Sequence, residues 1–291
     1  MNDKKVSIVL PVYNGAEHVK YSINSVIDQS YENWELIIVN DCSTDNTLEI
    51  CKEYAKHDAR ISIISNEQNL KLPNTLNIGF RRATGTYYTW TSDDNMYNQN
   101  AIAKLVEVLE NNPDAVMVYS DYTNIDADGN MIGEGKLQNP EFIVTGNVFG
   151  ACFLYKSEVA KKVGEYDPNL FLAEDYDYWM RIYRFGKILH HIDSLYFYRR
   201  HAGSLTETKK ALINEQTYKA LEKNFLHLYT DSKEHGLNHE FFDHILVRAE
   251  NHFEETKRML LSVDNGYARY LNRLHGKEKT KRLLKKLLFI K

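Results

Sequence analysis

Cysteine and long apolar runs are scarce in this chain of 291 residues. Its three cysteines, Cys42, Cys51 and Cys152, are odd in number and show no CxxC spacing, which argues against a disulfide framework and against a zinc site. Such a chain suits a reducing compartment. No stretch approaches the ~18 consecutive apolar residues of a transmembrane helix. We also expect no signal peptide, because the first apolar run is short and interrupted by Pro11. These absences predict a cytoplasmic protein.

Two common nucleotide-binding signatures are also missing. No GxxxxGK[ST] motif is present, which excludes a P-loop kinase or ATPase, and no GxGxxG follows the first predicted strand, which argues against a Rossmann dehydrogenase. The net charge of -4 gives no sign of a nucleic-acid partner, and we expect none. The hydrophobic content of 43% and the charged content of 26% are ordinary for a globular protein.

The first half of the chain contains alternating strand-like and helix-like segments. Strands are expected at Val6–Val12, Trp34–Asn40, Ile61–Ser65, Tyr87–Thr91 and Ala115–Asp121. Helices are expected at Glu17–Gln29, Thr44–Tyr54, Pro73–Ala83 and Gln99–Glu110. This order predicts an α/β protein whose mixed, mostly parallel sheet is covered by helices on both faces.

The pattern changes near Tyr122. The segment Asp126–Asn130 (DADGN) has the composition of a hairpin turn. Mixed short elements follow as far as Ser204, among them a helix at Asp175–Phe185. The last ~85 residues have a helical pattern throughout.

Three loops that follow predicted strands carry polar side chains. They are Pro11–Asn14 after the first strand, Asn40–Asp45 after the second and Ser92–Asn95 after the fourth. Open α/β sheets bind ligands at the carboxyl ends of their strands, so we expect these loops side by side along one edge. That edge is the candidate binding site.

The acidic side chains in these loops have more than one interpretation. The adjacent carboxylates of Asp93 and Asp94 repel each other unless a cation or a hydrogen-bond donor lies nearby. Mg²⁺ or Mn²⁺ binds carboxylate and phosphate oxygens together, so a metal that neutralises a diphosphate is one interpretation, and a cap for the following helix is the other. Asp41 suits either a cap for the helix near Thr44 or a partner for a nucleobase that lies against Tyr13.

Together these segments resemble a known family. They are PVYNG at 11–15, VNDCSTDNT at 39–47, LPNTLNIG at 72–79, ATGTYYTWTSDDN at 83–95 and AEDYDYWMR at 173–181. In order and spacing they resemble family 2 glycosyltransferases over roughly residues 5–205. The resemblance implies a GT-A fold at 1–205, with a nucleotide-binding half at 1–121 and an acceptor-binding half at 122–205. A helical C-terminal extension would occupy 206–291. It also implies inversion at the anomeric carbon.

The resemblance implies roles for individual residues. Pro11, Tyr13 and Asp41 would hold the base, typically uracil, Glu17 would approach the nucleotide, Asp93 would contact the ribose or the donor sugar, Asp94 would ligate Mn²⁺ or Mg²⁺, and Asp175 would be the general base. Two positions depart from the family pattern. Thr91 replaces the first aspartate of DxDD, and in NDCSTD the residues Asn40 and Cys42 replace the Asp and Gly of DDGSTD.

Further candidates lie around the predicted helix at 175–185. Asp175 stands at its start, where the helix dipole stabilises a negative charge and where an N-cap is the simpler interpretation. Glu174 competes with it for the role of base or contacts a sugar. Trp179, one turn later, suits either a floor under the donor or acceptor sugar or a place in the core. The region Asn147–Cys152 is expected to border the acceptor site.

The segment Tyr198–Ser204 resembles the family's YRxHxxS motif, usually a mobile loop near the donor phosphates. Arg199 suits bidentate phosphate contact. His201 suits the metal, the diphosphate or a structural role. Lys71 is a further candidate for a phosphate contact.

The C-terminal segment Arg273–Lys291 is rich in lysine and arginine, has Glu278 as its one acid and places its leucines on one helical stripe. A basic amphipathic helix can bind an anionic membrane surface, or it can pack within the protein or a dimer. Peripheral contact with the inner face of a membrane would suit a lipid-linked acceptor.

These features lead to one functional hypothesis. It is a metal-assisted, inverting transfer of a hexosyl or N-acetylhexosaminyl group from a nucleotide-sugar, typically a UDP-sugar, to a hydroxyl of a glycan or lipid-linked acceptor, as in cell-envelope polysaccharide biosynthesis. A catalytically inactive sugar-nucleotide-binding module is one alternative. A sugar-phosphate nucleotidyltransferase is another, although its glycine-rich, lysine-containing loop is not matched by PVYNGAEHV at 11–19.

Overall fold

The computed structural model describes residues 4–249 and 252–264. In these ranges the strands are β1 (Val6–Val12), β2 (Trp34–Asn40), β3 (Ile61–Ser65), β4 (Tyr87–Trp90), β5 (Met96–Tyr97), β6 (Ala115–Ile125), β7 (Met131–Gly135), β8 (Phe153–Lys156) and β9 (Lys187–Arg199). The α-helices are α1 (Val19–Ile27), α2 (Thr47–His57), α3 (Lys71–Arg82), α4 (Ala101–Asn111), α5 (Ser157–Val163), α6 (Glu174–Ile182), α7 (Leu205–Thr208), α8 (Lys210–Lys223), α9 (Phe225–Glu234), α10 (Asn238–Arg248) and α11 (Phe253–Val263). Short 3₁₀ helices lie at Pro140–Thr145, Pro168–Leu170 and Tyr183–Phe185.

The strands form one mixed sheet in the order β3-β2-β1-β4-β8-β6-β9-β5, with β7 paired to the second half of β6. Strands β1 to β4 are parallel to one another, and β6 and β9 are parallel as well. Strand β8 is antiparallel to both of its neighbours, β4 and β6. The predicted α/β architecture is confirmed, with the addition of β8 as an inserted strand between β4 and β6.

Two apolar cores lie on opposite faces of the sheet, because side chains alternate between the faces along each strand. In β1, Ile8 and Leu10 pack with α1, α2 and α4, whereas Val9 packs with α3, α6 and the C-terminal helices. Both faces of the central strands are therefore covered, which explains their nearly continuous apolar sequences.

The predicted helices begin one to three residues away from the expected positions, and the shifts of α2 and α3 have local causes. Helix α2 begins at Thr47, because the Oδ1 atom of Asp45 accepts the N–H of Thr47 at 3.0 Å. Helix α3 begins at Lys71, two residues before Pro73. Proline is tolerated there because N–H groups in the first turn have no partner within the helix.

The C-terminal helices pack against α6 around a buried charge. The carboxylate of Asp177 is fully buried and accepts a hydrogen bond from Nε of Arg181 at 2.9 Å on its own helix. From the C-terminal extension, Nδ2 of Asn224 donates to it at 2.9 Å and Nζ of Lys223 lies 3.1 Å away. The extension is helical in its described part, as predicted, and is joined to α6 by this polar contact.

The predicted basic helix at 273–291 lies outside the described residues. Within the described ranges, no helix is both long enough and apolar enough to span a bilayer.

Candidate functional site

The loops that follow β1, β2 and β4 lie side by side, because these strands are parallel neighbours. The first two loops are hydrogen-bonded to each other. The N–H of Asn14 donates to Oγ of Ser43 at 3.0 Å, and the N–H of Thr44 donates to Oδ1 of Asn14 at 2.8 Å. The third loop is held by α1, since Oγ of Ser22 donates to the carbonyl oxygen of Ser92 at 2.7 Å. The candidate site is therefore one connected surface.

Asp41 lies directly after β2 and is 4% exposed. Its Oδ1 accepts hydrogen bonds from Nδ2 of Asn66 and from the N–H of Leu70, both at 2.8 Å, and its Oδ2 accepts the N–H of Lys71 at 3.0 Å. Asp41 therefore caps α3 and not the helix expected near Thr44. One acceptor position remains on Oδ2 for a ligand.

Non-glycine residues with a left-handed backbone in the described part of the chain are confined to the loops of this site. They are Asn14 (φ 54°), Cys42 (φ 63°), Lys71 (φ 70°) and Leu172 (φ 79°). This conformation costs about 1–2 kcal/mol for most residues with a side chain, so neighbouring contacts must hold it in place. Cys42 stands where the family pattern has glycine, and its positive φ explains why glycine is usual there.

The predicted nucleotide contacts near Asp41 are open to solvent to different degrees. Tyr13 is 49% exposed, the side chain of Glu17 is 84% exposed, Lys71 is exposed and Pro11 is half-buried within β1. Tyr13 adjoins Asp41, because the N–H of Asp41 donates to the carbonyl oxygen of Val12 at 2.9 Å. The exposed ring of Tyr13 and the buried carboxylate of Asp41, on neighbouring loops, can offer a face and a hydrogen-bond acceptor to a flat heterocycle.

Asp93 packs closely against the loop after β1. The N–H of Tyr13 donates to its carboxylate. A Cβ atom on Gly15 would lie only 2.2 Å from its Oδ2, so a side chain at position 15 would displace the carboxylate of Asp93. Burial, followed by the charge of Asp94, raises the pKa of Asp93 to about 7. The protonation of Asp93 therefore changes near neutral pH.

Asp94 and His201 form a pair from distant parts of the sequence. Oδ2 of Asp94 lies 3.1 Å from Nε2 of His201, whereas Oδ1 of Asp94 is buried and has no hydrogen-bond partner. An unpartnered buried carboxylate oxygen is costly, and a cation would satisfy it. In the described ranges no cluster of three or more His, Cys, Asp or Glu side chains is arranged to hold a metal. A metal at Asp94 and His201 would therefore take its other ligands from substrate and water.

Thr91, which stands where the family pattern has its first aspartate, does not face this pair. It is 1% exposed, and its Oγ1 lies 2.6 Å from the hydroxyl of Tyr196 in β9. The departure from the pattern at position 91 therefore leaves Asp94 and His201 in place.

Arg199, predicted to contact phosphate, is buried and hydrogen-bonded to backbone carbonyl groups. It is 3% exposed, and its Nε donates to the carbonyl oxygen of Asp94 at 2.9 Å. Its Nη1 donates to the carbonyl oxygens of Asp126 at 3.0 Å and Ala127 at 2.8 Å, and its backbone N–H donates to Oδ1 of Asn95 at 2.7 Å. The Nε and Nη1 groups are thus directed at the protein's own backbone.

Asp175 is the second residue of α6, and its carboxylate is held on both oxygens. Nδ2 of Asn147 donates to Oδ2 at 2.8 Å, and the N–H of Tyr176 donates to Oδ1 at 2.7 Å. The N-cap of α6 is Ala173, so Asp175 does not cap the helix. Burial raises the pKa of Asp175, and the two donors oppose that rise.

Glu174 has a different environment from Asp175. It is 4% exposed, and its Oε2 accepts the N–H of Leu172 at 2.6 Å. Burial, followed by the charge of Asp175, raises the pKa of Glu174. Glu174 stabilises the left-handed residue before α6 and is less accessible to an acceptor than Asp175 is.

Trp179 lies in the core, the alternative to the sugar floor that the sequence also offers at this position. Its side chain is fully buried. Its ring centroid lies 4.5 Å from that of Phe153, 5.8 Å from that of Tyr155 and 6.5 Å from that of Phe149. The helical period turns position 179 toward the sheet, where aromatic side chains enclose it.

The start of α6 lies at the same edge of the sheet as the nucleotide-side loops. Strand β8 is antiparallel to β4, so its first residue, Phe153, lies near the carboxyl end of β4, with its ring 5.7 Å from that of Trp90. Phe153 also contacts Trp179 of α6, and Asn147, shortly before β8, reaches Asp175. The candidates for nucleotide binding, metal binding and proton transfer therefore share one edge.

Sequence reasoning misses His18, and it places Asn147 at the border of the acceptor site without its contact to Asp175. His18 packs edge-on against His201, with 5.6 Å between ring centroids, and burial, followed by the charge of Arg199, lowers the pKa of His18. Its place just after PVYNGAE is a signal that could have identified it. Asn147 contacts Asp175 across 28 positions of sequence, and no local pattern signals that contact.

Comparisons with known proteins agree with this architecture. The family model described as Glycosyl transferase family 2 matches residues 7–164. An uncharacterized glycosyltransferase of Rickettsia prowazekii (strain Madrid E) is 32% identical over 257 residues, which cover 83% of this chain and 79% of that protein.

Two solved structures are similar as well. S. aureus TarS 1-349 in complex with UDP-GlcNAc matches with a TM-score of 0.66 and 16% identity, over 85% of this chain and 73% of that chain. The longer TarS chain is covered over 43% of its length. Mannosyltransferase PcManGT from Pyrobaculum calidifontis, in complex with GDP-Man and Mn²⁺, matches with a TM-score of 0.62 and 14% identity, over 97% of this chain and 83% of that chain. These matches show that the fold is the GT-A fold predicted from the sequence.

Proposed function

This chain belongs to glycosyl transferase family 2, and from that premise we propose that it is an inverting, metal-assisted glycosyltransferase. Its donor is a nucleotide-diphosphate sugar, and its acceptor is a hydroxyl of a glycan or lipid-linked glycan. The observation that carries the proposal is the buried, unpartnered Oδ1 of Asp94 beside His201, at the sheet edge where Asp41 and Asp175 also lie.

The residues at this point fit a divalent ion. Asp94 supplies a carboxylate oxygen and His201 a ring nitrogen, a donor set that Mn²⁺ accepts readily and Mg²⁺ accepts with more oxygen ligands from substrate and water. When bound, such an ion would neutralise charge on the diphosphate leaving group. The mannosyltransferase neighbour in complex with GDP-Man and Mn²⁺ supports this choice of cofactor.

The nucleotide binds along the loops after β1 and β2. Tyr13 stacks on the base, and the remaining acceptor position on Oδ2 of Asp41 receives an N–H from the edge of the base. Uracil carries such an N–H. Lys71 is exposed, and its backbone N–H donates to Asp41. Its side chain is therefore near enough to the base site to contact the nucleotide.

A UDP-sugar is the preferred donor. The TarS neighbour in complex with UDP-GlcNAc supports it, and a hexosyl or N-acetylhexosaminyl group is the transferred sugar. Asp93, packed between Gly15 and Asp94, contacts the ribose or the sugar.

Asp175 acts as the base in a single displacement. It accepts the proton of the acceptor hydroxyl as that oxygen attacks the anomeric carbon from the face opposite the diphosphate. Each of its oxygens keeps a lone pair after the hydrogen bonds from Asn147 and Tyr176. Glu174 is the weaker candidate, because its burial favours the protonated form.

The test is the release of UDP from UDP-glucose, UDP-galactose and UDP-GlcNAc in the presence of Mn²⁺, with and without EDTA. We expect turnover of at least one donor and its loss with EDTA. Asp94→Ala and Asp175→Asn should both abolish turnover, but only Asp94→Ala should weaken Mn²⁺-dependent UDP binding. UDP binding without any turnover would indicate an inactive binding module. Release of pyrophosphate from a nucleoside triphosphate and a sugar phosphate would indicate a nucleotidyltransferase.

A second part of the proposal concerns the basic segment 273–291. We expect it to bind anionic membrane surfaces, which would bring the enzyme to a lipid-linked acceptor on the cytoplasmic face of the cell envelope. Binding of the full chain to vesicles rich in anionic lipid should exceed that of a chain ending at Gly276. Equal binding by the two chains would end this part of the proposal.

A further inference from the structure

We propose that Asn147 is a positioning residue for the transfer reaction, which holds the carboxylate of Asp175 in the orientation that a base needs. The proposal rests on the proposed function, because it takes Asp175 as the group that accepts the acceptor's proton. It is carried by a contact between distant segments, in which Nδ2 of Asn147 donates to Oδ2 of Asp175 at 2.8 Å.

Two hydrogen bonds fix the orientation of the Asp175 carboxylate. The N–H of Tyr176 donates to Oδ1 of Asp175, so each oxygen has one donor. Rotation of the carboxylate would break both hydrogen bonds, and the lone pairs that remain point in fixed directions. A neutral amide donor also favours the ionised carboxylate without adding a charge of its own, and here it works against the burial that raises the pKa of Asp175.

The segment that presents Asn147 is firmly supported. The preceding 3₁₀ helix, Pro140–Thr145, has Ile143 fully buried, and the carbonyl oxygen of Ile143 accepts the hydroxyl of Tyr176 at 2.6 Å. Nε2 of His244 in α10 lies 3.4 Å from the same hydroxyl. The C-terminal extension thus holds this segment against α6. Asn147 itself is exposed, so the core does not need its side chain.

The titratable groups that face Asp175 are few among the described residues. They are Glu174 on the same helix, Tyr166 from the segment after α5, and Tyr176. Burial raises the pKa of each tyrosine above its ordinary value, so both stay neutral near pH 7. Glu174 is therefore the group whose titration can overlap with that of Asp175, and Glu174→Gln isolates the contribution of Asp175.

The experiment measures kcat against pH for Mn²⁺-dependent UDP release, with water as acceptor. It uses whichever of UDP-glucose, UDP-galactose and UDP-GlcNAc the wild-type chain hydrolyses fastest. The variants are Asn147→Ala and Asn147→Asp, each also made in the Glu174→Gln background. Thr145→Val is the matched control, because Oγ1 of Thr145 donates to the carbonyl oxygen of Phe142 in the same segment and does not touch Asp175.

We expect Asn147→Ala to lower kcat at neutral pH by about tenfold, with little change in the KM for the donor. The acidic limb of the profile should move to higher pH, and the rate above that limb should stay below that of the wild type, because the carboxylate is no longer held in one orientation. Asn147→Asp should move the limb further, because it places a second negative charge next to Asp175. Thr145→Val should leave the limb in place.

An unchanged limb in Asn147→Ala, or a loss of rate that is uniform across pH, would overturn the proposal. If Asp175→Asn is inactive in the same assay, the proposed function stands without the role of Asn147. If Asp175→Asn keeps near-normal turnover, the assignment of the base and the role of Asn147 are both wrong.

Discussion

The guanidinium of Arg199 holds the main chain of Asp94, with Nε 2.9 Å from the carbonyl oxygen of Asp94. The same group donates to the carbonyl oxygens of Asp126 and Ala127 in the turn between β6 and β7. A buried cation therefore joins the acidic loop to a neighbouring hairpin, and it fixes the backbone from which the carboxylate of Asp94 projects.

Replacement of Arg199 by lysine is expected to lower the free energy of unfolding by about 2–4 kcal/mol. A lysine ammonium cannot reach three carbonyl oxygens on two segments, so buried acceptors lose their partners. Urea unfolding followed by circular dichroism measures the change. Arg200→Lys is the matched control, since Arg200 is exposed and its Nε contacts Oδ1 of Asn124, and it should change stability by less than about 0.5 kcal/mol. Unchanged stability of Arg199→Lys with a raised KM for the donor would instead favour a phosphate contact.

Loss of the ring at Tyr13 is expected to weaken UDP binding by roughly tenfold, because stacking of a base on an aromatic side chain contributes ~1–3 kcal/mol. Calorimetric titration of UDP in the presence of Mn²⁺ onto Tyr13→Ala measures the effect. Tyr13→Phe keeps the ring and should bind nearly as well as the wild type. If Tyr13→Phe loses as much affinity as Tyr13→Ala, the hydroxyl and not the ring face makes the contact.

The stability of Glu174→Gln relative to the wild type is expected to increase as pH rises. Burial and the charge of Asp175 raise the pKa of Glu174 from 4.5 to about 8. Between these values the unfolded chain has released the proton that the folded chain still binds, so the stability of the wild type falls as pH rises through this window. Glutamine has no proton to release, so the stability of the variant does not fall in this way.

Urea unfolding at about pH 5 and about pH 8.5 measures this difference. Glu158→Gln, which changes an exposed glutamate in α5, is the control and should show the same small difference at both pH values. A difference for Glu174→Gln that does not depend on pH would contradict the raised pKa.

The sequence predicts the first half of the sheet well, because its parallel strands are long apolar runs, such as Val6–Val12 and Trp34–Asn40, separated by helical patterns. The insertion of β8 is a different case. Its four residues, Phe153–Lys156, are too few for a reliable pattern, and its place between β4 and β6 is decided by contacts distant in sequence. Local periodicity does not predict such a strand order.

The residues of the candidate site also differ in how well the sequence predicts them. Asp41, Asp94 and Asp175 are found from sequence because each stands in a recognisable motif at a strand end or a helix start. Arg199 and Trp179 have the residue types that a sugar-nucleotide site uses, yet both are buried. Residue type does not reveal exposure, which here depends on the hairpin after β6 and on the packing of α6 over β8.

The buried carboxylate of Asp177 has a consequence for engineering. The match to the family model ends at residue 164, before α6, while Asn224 and Lys223 lie much later in the chain. A chimera that takes α6 from one relative and α8 from another, without matching these partners, would leave a buried anion short of two partners, which is strongly destabilising. Segments exchanged between relatives should therefore carry α6 and the C-terminal helices together.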